Sequence, residues 1–361
     1  MPIPGYLKRT FYGLLLLALG CTRRVDESRQ SQSGAPKPLP RMVGATRATK
    51  GFEQINAVRP SRSTLRLALV GDEGIGSRAQ AVLELVRSES ADAFVVLGDF
   101  DYEDKPQQWR DMLDALGPNF PWFAVVGNHD VHSWPVYEAL VASKQGSIKD
   151  AQCHGKPGRQ TSCLFRDAQL ILSEIGTMGN PAENEEFIRR ELALSHAKWK
   201  LCLWHKNQHD MQTGAKADEV GWGAYRACEA AGAIIVTGHE HAYARTKTLK
   251  ALGDRLSGYG AEGTANQLEV GPGKTFVTVS GLGGMSTRPF VLNHAEDTWW
   301  GAYLTADRES VNGEVRLANN SNTVGAFFLD LGIEGDESRG RGRFITAKGR
   351  VFDDFAIRFF N

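Results

Sequence analysis

Five short clusters of acidic, amide, phenol and imidazole side chains carry most of the chemistry that this sequence could perform. They are Asp72-Glu73-Gly74, Gly98-Asp99-Phe100-Asp101-Tyr102, Gly127-Asn128-His129-Asp130, His205 and Gly238-His239-Glu240-His241. Carboxylate oxygens, amide oxygens and neutral imidazoles are ligands of divalent and trivalent cations, and a carboxylate can bridge two ions about 3.5–4 Å apart. The set therefore predicts a two-metal hydrolytic site, with Asp99 as the bridging carboxylate.

Each cluster directly follows an apolar run that has the length of a buried strand. The runs span Leu65 to Val70, Ala93 to Leu97, Trp122 to Val126, Leu201 to Trp204 and Ala233 to Thr237. Because ligands of open α/β sheets bind beyond the carboxyl ends of the strands, these positions favour one shared site. A single Asp-x-Gly after a strand is more often a plain turn, so the prediction rests on the joint occurrence of the five clusters.

The order of the predicted elements indicates the fold class. Strand-like runs alternate with helical patterns from Leu65 to about His241, and the chain beyond Lys274 is rich in strand-like runs. This order predicts an α/β fold in which two mixed β-sheets pack face to face with helices outside. Residues 250 to 272 and 283 to 310 are rich in Gly and polar residues, and we expect long loops there, over the site.

The charged residues balance and provide no strong overall field. The 361 residues include 42 Lys plus Arg and 42 Asp plus Glu, which gives a formal net charge of zero. An anionic substrate must therefore be held by local charge, and nucleic acid is not an expected partner. Arg339, Arg341 and Arg343 alternate with glycine near acidic residues, which predicts a solvated hairpin turn rather than a nucleic-acid contact.

The N-terminus has the pattern of an export signal. Lys8 and Arg9 precede a short apolar run, and Cys21 follows Ala-Leu-Gly as in a bacterial lipoprotein cleavage box. Residues 1–21 are thus predicted to be a signal peptide, residues 22–63 a flexible linker, and residues 64–361 the catalytic domain. We expect an exported protein, anchored to a membrane only through lipid on Cys21, or otherwise secreted.

Four cysteines remain beyond Cys21. Cys153 and Cys163 flank a short segment that contains Gly, Pro and Lys, so we predict a disulfide between them in an oxidising compartment. Cys202 lies within a strand-like run, where a buried thiol is an equally good interpretation.

Together the clusters resemble the metallophosphoesterase superfamily, and within it the purple acid phosphatase branch. Asp72-Glu73-Gly74 lacks the histidine of the common Asp-x-His motif, whereas Tyr102 stands three residues after Asp99, as in the purple branch. The resemblance implies a four-layer architecture and two metal ions, Fe(III) plus Fe(II), Zn or Mn. The implied ligands of Fe(III) are Asp72, Asp99, Tyr102 and His241, and those of the second ion are Asp99, Asn128, His205 and His239.

The resemblance also implies a reaction. A metal-bound hydroxide would attack the phosphorus of a small phosphorylated substrate, and no covalent phosphoenzyme is expected. His209 is the favoured acid for the leaving group, while His129 is expected to orient phosphate or a neighbouring carboxylate. The alternatives are a phosphodiesterase that uses the same metals and a non-catalytic, phosphate-binding surface lipoprotein.

Some residues near the motifs have no role implied by the resemblance. The family commonly has Glu where Ala244 stands, which leaves Arg245 without its presumed local partner. Gly281-Leu282-Gly283-Gly284 lacks the Lys of a phosphate-binding loop and predicts a turn packed close to the metals. His132, His154, His196 and His294 are expected at the surface or in loops, with His294 in a loop that could reach the pocket.

Overall fold

The computed structural model describes residues 64–291, 294 and 297–361. The predicted signal peptide and linker, residues 1–21 and 22–63, lie outside the described residues and stay predictions. Among the described residues, no helix has both the length and the apolar character needed to cross a membrane.

The described residues form five α-helices and seventeen strands. The helices are α1 Ser77–Ser88, α2 Pro106–Leu113, α3 Trp134–Ser147, α4 Pro181–Leu194 and α5 Gly223–Ala230. The strands are β1 Leu65–Val70, β2 Ala93–Val96, β3 Trp122–Ala124, β4 Ala151–Lys156, β5 Gln160–Phe165, β6 Ala168–Ser173, β7 Trp199–Trp204, β8 Ile234–Thr237, β9 Tyr243–Thr246, β10 Gln267–Val270, β11 Val277–Ser280, β12 Trp300–Leu304, β13 Arg308–Val311, β14 Glu314–Leu317, β15 Gly325–Leu331, β16 Arg339–Thr346 and β17 Val351–Phe359.

Within the described residues, the strands form two mixed sheets. A seven-stranded sheet has the order β10-β17-β16-β15-β1-β2-β3, and a ten-stranded sheet has the order β14-β13-β12-β9-β11-β8-β7-β6-β5-β4. Strands β1, β2 and β3 run parallel to one another, as do β6, β7 and β8 in the other sheet. Parallel neighbours end at the same edge, which brings the residues that follow them together.

Three apolar clusters separate four layers. Because side chains alternate across a strand, Leu65, Leu67 and Leu69 of β1 face the second sheet, whereas Ala68 and Val70 face α1, α2 and α3. A third cluster lies between the ten-stranded sheet and helices α4 and α5. The predicted fold class, two mixed sheets packed face to face with helices outside, is confirmed.

Local sequence explains where two of the helices form. The buried face of α1 repeats at helical spacing, at Ala79, Val82, Leu83 and Val86. Helix α4 begins with Pro181 at its first position, and the Asn180 side chain caps it by accepting bonds from the next backbone N–H groups.

The structure corrects two predictions about the C-terminal half of the chain. Residues 283–310 are not one loop, because they contain β12 and the start of β13. A turn does join β15 to β16, but Arg339, Arg341 and Arg343 lie beyond it in β16, and the Arg343 side chain is largely buried, with Nη1 donating to Glu89 Oε2 at 3.0 Å. Strand pairing overrides the turn-like local composition of both regions: β12 pairs with β9 and β13, and β16 pairs with its chain neighbours β15 and β17.

Two disulfides connect neighbouring elements. Cys153–Cys163 joins β4 to β5, which confirms the predicted bond. Cys202–Cys228 joins β7 to α5, so Cys202 is bonded rather than a free thiol.

The two sheets are also joined by an ion pair in the core. Arg245 of β9 donates to both carboxylate oxygens of Asp353 of β17, at 2.7 and 3.0 Å, and Tyr243 adds a third bond at 2.7 Å. Both charged side chains are almost completely buried. Arg245 thus has a partner that the sequence did not indicate, since it lies 108 residues away.

Candidate functional site

The strand ends of the two sheets meet at the predicted clusters. Backbone bonds run from Asp72 N to Gly98 O at 3.0 Å within one sheet and from Gly238 N to His205 O at 3.0 Å within the other. Gly98 has a φ of +81°, and a Cβ there would lie 2.6 Å from His205 Nδ1, so only glycine permits this approach of the two sheets. Side chains from both sheets therefore share one volume.

One part of the cluster contains a carboxylate, a phenol and an imidazole. The Tyr102 hydroxyl lies 3.0 Å from Asp72 Oδ1 and 3.1 Å from His241 Nε2, and the last two atoms are 3.3 Å apart. These are three of the four ligands that the resemblance implies for Fe(III).

The other part contains the remaining predicted ligands. His205 Nε2 lies 3.2 Å from Asp99 Oδ1, 3.2 Å from Asn128 Oδ1 and 3.1 Å from His239 Nδ1. Asp99, His205 and His239 each offer a ligand atom, and these atoms all lie within 4.8 Å of one another. Asp99 also interacts with the Tyr102 phenol, so its carboxylate lies between the two parts.

The outer nitrogen of each imidazole has a partner away from the centre. His205 Nδ1 bonds to Leu97 O at 2.7 Å, and His241 Nδ1 to Ser286 O at 3.1 Å. His239 Nε2 lies 2.8 Å from Glu219 Oε2. Such bonds fix the tautomer of a metal-binding histidine and leave the other nitrogen facing the ion. The donor set and its orientation thus fit two cations.

Burial and neighbouring charge shift the pKa values in this cluster. Burial, reinforced by the Asp72 and Asp99 carboxylates, raises the pKa of the Tyr102 phenol. Burial opposes the charge on His205, but the adjacent Asp99 prevails and raises the pKa of this imidazole to about 9. Burial, and then His205, lower the pKa of His239. In the absence of cations the phenol therefore keeps its proton, and deprotonation requires a strong positive charge nearby.

A comparison with known families agrees with this geometry. The family model described as calcineurin-like phosphoesterase matches residues 65–243, about half of the chain. The chain belongs to the calcineurin-like phosphoesterase family. The matched segment contains all seven predicted metal ligands and both predicted catalytic histidines.

Sequence relatives point to one branch of the phosphoesterase family. Purple acid phosphatases 22 and 21 of Arabidopsis thaliana are each 31% identical to this chain, over 83 and 85 residues, or 22% of the chain in both cases. The aligned parts are 19% and 20% of those proteins, so the chain matches about a fifth of the length of these relatives.

Solved structures share the phosphoesterase fold. The purple acid phosphatase from yellow lupin (Lupinus luteus) seeds superimposes with a TM-score of 0.57 at 15% identity, over 82% of this chain and 54% of that one. GAP50, described as the anchor in the inner membrane complex of Plasmodium, gives 0.54 at 12% identity, over 83% and 90%. At these identities the likeness concerns the fold alone.

The two predicted catalytic histidines lie in different places. The His129 backbone N–H donates to Asp99 Oδ1 at 2.9 Å, and its exposed ring packs at 4.4 Å from the Tyr102 ring, centroid to centroid. His209 is half-buried, with Nδ1 2.6 Å from the carbonyl oxygen of Lys216 and its ring 5.3 Å from that of His294. The roles predicted for both residues stay predictions.

His294 was expected at the surface or in a loop, but its side chain is buried. It is 1% exposed, and its nitrogens bond to Asp297 at 2.7 Å and to Gly214 O at 3.2 Å. It therefore packs under the segment that carries His209 and Lys216. By contrast, the Gly281-Gly284 turn lies where expected, because a Cβ on Gly281 would be 2.9 Å from Asp72 Oδ2.

Sequence reasoning assigned no role to Asp130, the last residue of the third cluster. Its buried carboxylate accepts bonds from the backbone N–H groups of Gly127, Asp99 and Phe100, at 2.6, 3.0 and 2.7 Å. It therefore ties together the loops that follow β2 and β3. The sequence signal that could have indicated this role is the position of Asp130 directly after Asn128 and His129.

Three charged residues around His239 were also missed. Glu219 contacts its ring, and the Lys216 ammonium and the Arg288 guanidinium both donate to its carbonyl oxygen. Burial lowers the pKa of Lys216 to about 8. These residues lie in loops without a recognisable motif, so only the folded chain reveals them.

Proposed function

We propose that this protein is a metal-dependent phosphatase that hydrolyses small phosphomonoesters. The strongest support is that seven side chains with oxygen or nitrogen donors meet at the strand ends of two sheets. Asp99 lies between the two parts of this cluster. Membership of the calcineurin-like phosphoesterase family supports the same reaction class.

In this proposal one cation, Fe(III), would be held by Asp72, Asp99, Tyr102 and His241. A second cation, Fe(II), Zn or Mn, would be held by Asp99 together with Asn128, His205 and His239. When bound, the two ions would supply the nucleophile and neutralise the charge that develops on the phosphoryl group. The phenol and carboxylates favour a hard, highly charged ion at the first position.

The protein's own groups would orient the substrate and move protons. His129 lies exposed beside Tyr102 and is available to a bound phosphate. His209 Nδ1 donates to the carbonyl of Lys216, so in the imidazolium form the ring would carry a second proton on Nε2, which it would donate to the leaving alkoxide.

The test is phosphate release from an aryl monoester by the metal-reconstituted protein and by Asp99→Asn. Removal of the bridging charge should reduce turnover at least about a thousandfold, because both ions lose a ligand. Asp111→Asn, on the exposed surface of α2, is the matched control and should retain full activity. Turnover that survives Asp99→Asn would refute the proposal, as would a metal-loaded wild-type protein that releases no phosphate.

A further inference from the structure

Two cationic side chains converge on one backbone oxygen at the edge of the candidate metal site. The Lys216 ammonium donates to the carbonyl oxygen of His239, and Arg288 Nη1 donates to the same oxygen at 3.4 Å. The Arg288 backbone N–H also donates to His241 O at 2.8 Å. Both cations are therefore fixed against the short segment that carries two predicted metal ligands.

One carboxylate lies within ion-pair distance of this pair. The Glu240 carboxylate is buried and lies 3.5 Å from Arg288 Nη1. Among the described residues, no carboxylate lies within ion-pair distance of the Lys216 ammonium. The charges of Asp72 and Asp99 also act on Lys216, but both are predicted metal ligands whose charge bound cations would neutralise. Two like charges held close together repel unless an anion compensates them, so in the metal-loaded protein two cations and Glu240 leave a place for a further negative charge.

The Arg288 member of the pair is accessible to a ligand. The Arg288 side chain is 41% exposed, and its planar guanidinium has several donors that the protein does not use. Guanidinium and ammonium groups are the usual protein partners of phosphate oxygens. A purely structural role in bracing the His239–His241 segment would not require a solvent-facing guanidinium.

Building on the phosphatase function proposed above, we infer that Lys216 and Arg288 bind the second negative charge of a phosphomonoester and thereby favour monoesters over diesters. A monoester is a dianion above its second pKa of about 6, whereas a diester carries only one charge. Both esters present a phosphoryl group to the metals, so the metals alone do not distinguish them. The positive charge of Lys216 and Arg288 that Glu240 leaves uncompensated favours the dianionic monoester.

The experiment compares kcat/KM for an aryl phosphate and an aryl methyl phosphate at about pH 7.5, using the metal-loaded wild-type protein, Lys216→Met, Arg288→Met and the double variant. We expect each single variant to lose about 10- to 100-fold with the monoester, mainly through KM, which is the effect of one charge-assisted hydrogen bond. The diester should lose less than about threefold. Lys216→Arg should restore most of the monoester preference.

A matched control removes a similar lysine elsewhere. Lys144 is also largely buried and donates to a backbone carbonyl, that of Pro118 at 3.0 Å, near the start of β3 and away from its carboxyl end. Lys144→Met should leave the ratio of the two substrates unchanged. Metal content and melting temperature of every variant show whether the fold is intact.

The outcomes separate this inference from the proposed function. Equal losses with both esters would mean that the cations only support the loop, and would overturn the inference while the phosphatase function stands. A metal-loaded wild-type protein that hydrolyses neither ester would refute the function instead. In that case calorimetric binding of inorganic phosphate still tests the pair, because weaker binding by Lys216→Met is expected and unchanged binding would contradict it.

Discussion

Four of the seven predicted metal ligands have a left-handed backbone conformation. The φ angles are 61° at Asp72, 55° at Asp99, 65° at Tyr102 and 68° at His239. Non-glycine residues in this region cost free energy and persist only where surrounding contacts hold them, which is common at functional sites. Residue types and strand ends predicted these ligands, but the sequence did not indicate that their backbone is left-handed.

Tyr102 provides a spectroscopic prediction. If its phenolate binds Fe(III), Tyr102→Phe should abolish a visible charge-transfer band in the iron-loaded protein, because phenylalanine has no oxygen to donate. Tyr259→Phe, which removes a hydroxyl bonded to Asp210, is the control and should keep the band. An absorption spectrum that retains the band in Tyr102→Phe would show that the phenolate assignment is wrong.

Asp130 provides a stability prediction. Asp130→Asn keeps the size of the side chain but replaces one of the two accepting oxygens by an NH2 group that faces backbone N–H donors, so we expect the free energy of unfolding to fall by about 3 kcal/mol. Urea denaturation measures this loss, and metal binding should weaken in parallel because the Asp99 turn loosens. An unchanged midpoint would mean that the carboxylate does not hold these loops.

At the scale of elements, regular patterns were predictable and irregular strands were not. The mainly apolar run of β1 gave the same bounds in sequence and structure, Leu65–Val70. Strand β12 was missed because it contains Gly301 and pairs with β9 across a shift in register, which breaks the local pattern. The partner strand, not the sequence of β12 itself, determines its conformation.

The Arg245–Asp353 ion pair connects β9 of one sheet to β17 of the other. Substitutions of these residues therefore measure how much the pair stabilises the packing of the two sheets. Arg245→Met leaves a buried, unpaired carboxylate, and we expect a loss of about 3–5 kcal/mol in the free energy of unfolding. The double variant Arg245→Met/Asp353→Leu should recover much of that loss, because no buried charge remains. Chemical denaturation measures the free energy of unfolding of each variant. A double variant that loses as much of it as the two single variants together would contradict this expectation.

At the scale of the whole molecule, the site exists only because two sheets bring their strand ends together. Local sequence predicted the strands and the ligand types within each half. Three contacts join segments that are distant in the chain: Gly98 with His205, Asp353 with Arg245, and Arg288 with His239. Such contacts cannot be predicted from a single sequence. For that reason the cations around His239 could not be predicted.

The location of the whole chain is also testable. Cys21 is predicted to carry lipid after signal cleavage, so the full chain expressed in a bacterium should incorporate labelled palmitate and sediment with membranes. Cys21→Ser should lose both properties, while Cys153→Ser serves as the control for a cysteine outside the signal. Membrane association that is independent of Cys21 would contradict the predicted anchor.

The most direct measurement is a titration of the metal-free protein with Fe or Mn, in which bound metal and release of phosphate from an aryl monoester are followed together. We predict that turnover rises until two ions are bound per chain and then stays constant, because both parts of the cluster must be filled. Full activity with one ion, or activity without metal, would contradict the dinuclear site.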